Sequence, residues 1–391
     1  MPILLSCQKK ILAGIITTLI IEISSMSAIA EPSLLWRMKF DSRIIKMSYL
    51  REFKTEKRNA SEFPLKALMT EKSIYTLDSK GQIASRIPLK KHHKVAMSDD
   101  GSTMATMEGR DITISDLNGQ IQGRVKIADP QPVVLPQHVS FDLSPNGGYI
   151  VLISYFTNTV YFHDKNGKLL SNYSIEDLRG AKTKFSMDSR YVAIHVPNWG
   201  EGKTHGYLLF FDKGGKKLWQ FNHKGTQAKF DISSNGKSVV LAAEDVFYSI
   251  NDKGKLIFKQ QILPGYISIR VSDDGRYVVL TRRLDHTITM LDNINGKTLW
   301  QLRLDGYDPI NSPFTSLDIS GKENCVAVCI SKDWKRKNKE SFFYVFNKAG
   351  NVIWENTFDR SIVVGVMCPH DGCMIVKGDR EGYLYKFNFC L

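Results

Sequence analysis

Ser272-Asp273-Asp274-Gly275-Arg276-Tyr277-Val278-Val279-Leu280 and, shortly after it, Asp292-Asn293-Ile294-Asn295-Gly296-Lys297-Thr298-Leu299-Trp300 contain the two turns that decide the fold. Each turn offers Asp, Asn or Ser to open it and Gly to accept a positive φ. Each also separates two short apolar runs. The unit is therefore four strands, a to d, with an SxDG turn between a and b and a DxxG turn between c and d.

Both turns recur along the chain. The a–b turn reads Ser98-Asp99-Asp100-Gly101, Ser144-Pro145-Asn146-Gly147, Ser233-Ser234-Asn235-Gly236 and Pro369-His370-Asp371-Gly372, with degenerate copies at Met187-Asp188-Ser189-Arg190 and Ser320-Gly321-Lys322-Glu323. The c–d turn ends at Gly81, Gly119, Gly167, Gly215, Gly254, Gly296 and Gly350. Strand a starts near Ile45, Lys94, His138, Thr183, Gln227, Tyr266, Phe314 and Ser361, at intervals of 39–49 residues. Four short strands at a period of about 40–50 residues is the β-propeller pattern.

The last unit, Ser361 to Leu391, is 31 residues long and has no strand d. Leu34-Leu35-Trp36-Arg37-Met38-Lys39-Phe40 resembles strand d elsewhere, such as Lys217-Leu218-Trp219-Gln220-Phe221. The N-terminal strand is expected to complete the last blade, which removes two free sheet edges. The expected fold is all-β: an eight-bladed propeller closed by this strand, with seven blades as the alternative because residues 45–90 are the most degenerate unit.

Ahead of the repeats lie Lys9 and Lys10, an apolar run from Ile11 to Ile23, and Ala28-Ile29-Ala30. This is the order of a secretory signal peptide, and the run is shorter than the roughly 20 residues that span a bilayer. The reading is a signal over 1–30 and a single propeller domain over 31–391, with no transmembrane segment in the mature chain. The protein is expected to be periplasmic or secreted. Losing Lys9, Lys10 and Glu22 lowers the formal charge of +13 by one, so the exported protein is basic. In that compartment nucleic acid is not an expected partner, whereas a protein or an anionic envelope component is.

At these turns the chain resembles bacterial WD40-like and PQQ-like propeller repeats. Asp292, Gly296 and Trp300 fit the PQQ-like docking pattern, and Gly215 with Trp219 and Gly350 with Trp354 fit its second half. Ser85, Gly123, Ser171 and Phe258 stand at the tryptophan position in other blades. The resemblance implies tryptophans packed between blades. It also implies two functional classes: quinoprotein dehydrogenases and cofactor-free scaffolds, one of the latter acting in outer-membrane protein assembly. The vicinal cysteines and CxxCH haem site carried by enzymes of this kind are missing from the sequence. No cofactor is expected.

No HExxH, P-loop, dinucleotide fingerprint or nucleophile elbow occurs. Five cysteines remain after the signal: Cys325, Cys329, Cys368, Cys373 and Cys390. Cys368 and Cys373 flank a turn and are expected to pair across the hairpin. Cys325 and Cys329 are about 13 Å apart along a strand, too far to pair. Asp142, Asp231 and Asp318 recur at one strand-a position, read either as a hydrogen-bonding feature of the fold or as a carboxylate ring in the channel. The b–c and d–a loops are the long ones. They carry Trp199, His205, Tyr307 and the Trp334, Lys335, Arg336, Lys337 cluster, which are the expected partner-binding residues. The reading is a monomeric, exported interaction scaffold working through that face; the alternative is a propeller enzyme, a quinoprotein-like oxidoreductase or lyase, with a site at the channel mouth.

Overall fold

A computed structural model describes residues 33–49, 65–90, 94–127, 136–198, 205–307, 312, 314–319, 325–332, 340–358, 362–367, 374–379 and 381–388. Apart from a short 3-10 turn at Pro136–His138, every regular element is a strand, and every sheet is antiparallel and four-stranded. Seven sheets, not eight, take their four strands consecutively from the chain: 44–88, 94–126, 139–174, 182–224, 228–261, 266–303 and 314–358, here the first to seventh blades. One further sheet is composite, ordered Ser33–Lys39, Tyr383–Asn388, Met374–Asp379, Ile362–Met367 from rim to axis.

Side-chain chemistry at the turns explains why the chain reverses where it does. In the c–d turns the opening Asp or Asn side chain captures two backbone N–H groups. Asp212 Oδ1 accepts from Gly214 and Lys216, and Asn251 Oδ1 from Lys253 and Lys255. At the a–b turns the serine hydroxyl accepts the N–H five residues on, as Ser98 does from Thr103 and Ser272 from Tyr277. These bonds satisfy donors that the sheet ladders leave unpaired. Each continuous blade also has a register shift near the start of its c–d hairpin, such as Phe210/Phe211 or Met290/Leu291, which bends the outer strand.

The core lies between blades rather than within them. Ala228, Phe230 and Ile232 of the fifth blade pack with Ala193, Leu208 and Phe210 of the fourth. The docking tryptophans lie at the same boundaries. Trp219 Nε1 donates to Asp252 O and Trp300 Nε1 to Lys348 O, both at 3.0 Å, so each reaches the c–d turn of the next blade. Gly254, at φ +74°, has no room for a side chain, because a Cβ there would lie 2.7 Å from Trp219 Cγ. The glycine is thus required both by its own turn and by the neighbouring ring.

The ring is closed through the composite sheet. Ser33–Lys39 pairs antiparallel with Tyr383–Asn388, with Arg37 opposite Tyr385 and Met38 opposite Leu384. Tyr385 and Phe387 pack against Phe343, Trp354 and Phe358 of the seventh blade. Leu384 packs with Ile44, Leu68 and Tyr75 of the first. Cys325 and Cys329 are buried in the first of these clusters. The 1–30 segment and the Cys368–Cys373 pair lie outside the described residues.

Candidate functional site

Two surfaces of this ring carry features beyond what packing needs: the face bearing the b–c and d–a loops, and the channel wall. On the loop face, Trp199 and the Trp334, Lys335, Arg336, Lys337 cluster lie outside the described residues. His205 is exposed as the first residue of the strand His205–Asp212, opposite Lys224. Tyr307 is half-buried; its hydroxyl lies 2.7 Å from that of Tyr344 and its ring rests against Phe342 and His286. His205 sits on the fourth blade and Tyr307 between the sixth and seventh, so the two do not form one patch.

Sequence reasoning missed three side chains on this face. Phe156, in the b–c loop of the third blade, is 40% exposed, with its ring edge-on to His138. Leu263 and Leu284, on the d–a loop that leads into the sixth blade's first strand and on that blade's b–c loop, are 56% and 59% exposed. Arg283 N–H donates to Gly265 O, which joins these two loops. Exposed aliphatics also stand on the outer strands at Ile83, Ile121, Leu169, Leu218, Leu256, Leu299 and Val352. Those recur just after the c–d turn in every continuous blade and so belong to the repeat. Phe156, Leu263 and Leu284 have no exposed apolar counterparts in the other described loops of this face. A large apolar residue within a two- to four-residue loop is the signal that could have found them.

The channel wall is built by the innermost strands. In each, the residue two before the turn serine points toward the axis or the next blade, while its neighbours enter the inter-blade clusters. Phe141 and Leu143, for example, flank Asp142 and pack backward onto the second blade. From the first blade to the seventh this position holds Lys46, Ala96, Asp142, Lys184, Asp231, Arg270 and Asp318. Three cations and three carboxylates thus line one layer, and on the fourth to seventh blades the signs alternate.

These charges link one blade to another. Lys184 Nζ lies 2.7 Å from Asp231 Oδ1, while Asp231 Oδ2 accepts the Val271 N–H at 3.0 Å. Lys46 Nζ lies 3.1 Å from Asp99 Oδ1 and also donates to Met97 O at 2.5 Å. Asp318 accepts the Ile319 N–H and Asp142 the Leu143 N–H. Burial works against every charge here. It pushes Lys184 down to about 8 despite the pull of Asp231. It also pushes Asp142 up, with Lys46 opposing. Burial acts on Asp231 too, but Lys184 and Arg270 outweigh it and hold that carboxyl below its ordinary value. Asp99 and Asp142 likewise outweigh burial at Lys46 and hold its ammonium above its ordinary value. The three recurrent aspartates hydrogen-bond within the fold, and they share their layer with Lys46, Lys184 and Arg270 rather than forming a ring of carboxylates.

Among the described residues no three His, Cys, Asp or Glu side chains are grouped to hold a metal ion, and no helix is long and apolar enough to cross a membrane. The charged ring is mutually compensated, which suits a rigid wall more than a reactive centre.

Comparison with known proteins agrees with this architecture. Residues 204–361 match a family model described as outer membrane protein assembly factor BamB. Among solved structures, the crystal structure of BamB from Moraxella catarrhalis aligns with a TM-score of 0.59 at 14% identity, covering 92% of this chain and 100% of that one. The structure of the Dos1 propeller aligns with a TM-score of 0.59 at 12% identity, covering 91% and 95%. No curated protein matches the sequence. At these identities the likeness is one of fold, and at that level the resemblance to PQQ-like and WD40-like propellers holds.

Proposed function

We propose that this chain is a protein-binding scaffold of the cell envelope whose working surface is the face of the b–c and d–a loops. The observation that carries the reading is the exposure of Leu263, Leu284 and Phe156 there, since loop apolar groups left in water gain free energy only when a partner covers them. The match of residues 204–361 to an outer membrane protein assembly factor supports the envelope and the scaffold role alike. Export by residues 1–30 and the basic charge are in keeping with it, as is a protein partner carrying acidic groups. The compensated channel ring gives the propeller a stiff frame on which its loops can vary.

The test places a photo-crosslinking side chain at Leu284 or at Ile121 in the full chain expressed in its native envelope. Position 284 should give one discrete adduct and position 121 none. An adduct pattern that is the same at both positions, or present only at 121, overturns the choice of face. Recovery of unprocessed protein in the cytosol overturns the location.

A further inference from the structure

One layer toward the loop face from the compensated ring, the balance of charge changes. Four residues before each turn serine, the second to seventh innermost strands carry Lys94, Ser140, Lys182, Lys229, Ser268 and Ser316. Their register is uniform. Lys229 stands opposite Ala242 and Lys182 opposite His195, each two ladder positions from its ring residue, Asp231 or Lys184. Side chains two apart on a strand share a face, so this layer lines the channel just inside its loop-side mouth. Across these six blades it holds three lysines and three serines, and no carboxylate.

Lys94 is held across the blade boundary, donating to Val139 O at 2.7 Å. Lys182 and Lys229 are exposed, on adjacent blades, and among the described residues neither has an ion-pair partner. Burial lowers the Lys229 ammonium, and the nearby Lys182 charge lowers it further. Among the described residues no ion pair offsets the repulsion between these two, whereas Lys46 and Lys184 in the layer beneath pair with Asp99 and Asp231. Such a cost is relieved by an anion seated between them.

We propose that the loop-side mouth of the channel is a binding site for a multivalent oxyanion, gripped by Lys182 and Lys229 with hydroxyls from the serines of the same layer. The ligand presents phosphate or clustered carboxylate oxygens, carries at least two negative charges and is narrow enough to enter between innermost strands. The balanced ring below repels neither sign strongly and forms the floor. The site is distinct from the apolar loops of the third and sixth blades and does not depend on their having a partner.

The experiment titrates the full mature chain by calorimetry at low ionic strength with pyrophosphate and, separately, with a tetra-aspartate peptide. It is repeated on Lys182→Gln/Lys229→Gln and on a charge-matched control, Lys213→Gln/Lys216→Gln, at the opposite face. Expected is saturable binding that weakens about tenfold or more in the first variant, is unchanged in the control, and fades as salt rises. Binding of pyrophosphate alone identifies a free phosphate ligand, and binding of the peptide identifies acidic side chains as the source. In the unsubstituted protein, pyrophosphate or the peptide should also protect Lys182 and Lys229 from acetylation, a readout that does not depend on a variant folding. Failure of both probes to bind, equal loss in the control, or absence of protection overturns the site.

Discussion

The Nε2 atoms of His195 and His223 face each other 3.1 Å apart in the buried interior of the fourth blade. His223 Nδ1 donates to Lys224 O, so its Nε2 carries no proton in the neutral ring and must accept from His195 Nε2–H. The arrangement holds one shared proton and has no place for a second. Burial pushes His195 down to about 3, with the His223 ring adding to the effect, and burial lowers His223 as well. Both groups stay neutral in the fold where the unfolded chain would take up protons. Stability from this pair is therefore complete above about pH 6.5, the unfolded value, and is lost as pH falls from there toward about 3. His195→Gln should flatten the decline in denaturant midpoint between pH 7.5 and 4.5. A slope equal to that of the parent protein contradicts this.

Gly206 lies beside that pair, and a Cβ there would stand 2.8 Å from His223 Cε1 and 3.0 Å from His195 Nε2. Gly206→Ala should cost about 1–3 kcal/mol by overpacking. Combined with His223→Ala, which removes the obstructing ring, the alanine should cost much less than it does alone. Thermal melts of the two singles and the double measure that coupling, and strict additivity would refute the contact.

Asp231 is bonded to Lys184 through one oxygen and to the Val271 N–H through the other. Asp231→Ala leaves a buried ammonium and an N–H without partners, and should cost about 3–5 kcal/mol. Replacing both ends, Lys184→Met with Asp231→Leu, should recover much of the loss, because neither charge is then left alone. A double variant less stable than Asp231→Ala would show that the pair is worth more than its burial costs.

Asp41, just past the closing strand, accepts from Thr70 Oγ1, Ser73 Oγ and Arg86. Burial works against its ionised form, but the hydroxyls of Ser73, Thr70 and Ser42 outweigh it and hold the carboxyl down at about 2. A depressed carboxylate contributes stability that is present above its unfolded value near 4 and lost as pH falls through about 2. Asp41→Asn should remove that component of the acid limb, seen as a smaller drop in melting temperature between pH 4.5 and 2.5.

Much of this was legible in the sequence because repeats print their turns. Gly215, Gly254 and Gly296 announce each hairpin, and Trp219 and Trp300 announce the boundary they fill. The unmatched final unit announces the strand at Ser33–Lys39. Asp142, Asp231 and Asp318 could be seen to recur, but their partners could not. Lys184 and Asp231 are 47 residues apart, and only the packing of the fourth blade against the fifth brings them together. His195 and His223 were invisible because they stand 28 residues apart, on the second and fourth strands of one blade, and meet only across the strand between them. Tyr307 read as an exposed loop aromatic because sequence cannot show that Tyr344 and Phe342 of the neighbouring blade cover it.

The strand Ser33–Lys39 supplies the outermost ladder of the composite sheet, and Arg37 lies over the Tyr383 ring at 4.3 Å. Without it, Tyr383–Asn388 becomes an unprotected edge in the sheet that joins the seventh blade to the first. Deleting residues 33–39 from the mature chain removes Met38, which packs against the cluster of Leu384, but none of the buried residues that make up the clusters holding Leu384, Tyr385 and Phe387. The remaining blades should still form, but the composite sheet should loosen and recruit strands from other molecules. Light scattering should report association at micromolar concentration, and the melting temperature should fall. Adding a synthetic peptide of residues 33–40 should reverse both, because the missing ladder can be restored from outside. A deleted chain that stays monomeric with an unchanged melting temperature would mean that the ring is held closed by Leu384, Tyr385 and Phe387 alone.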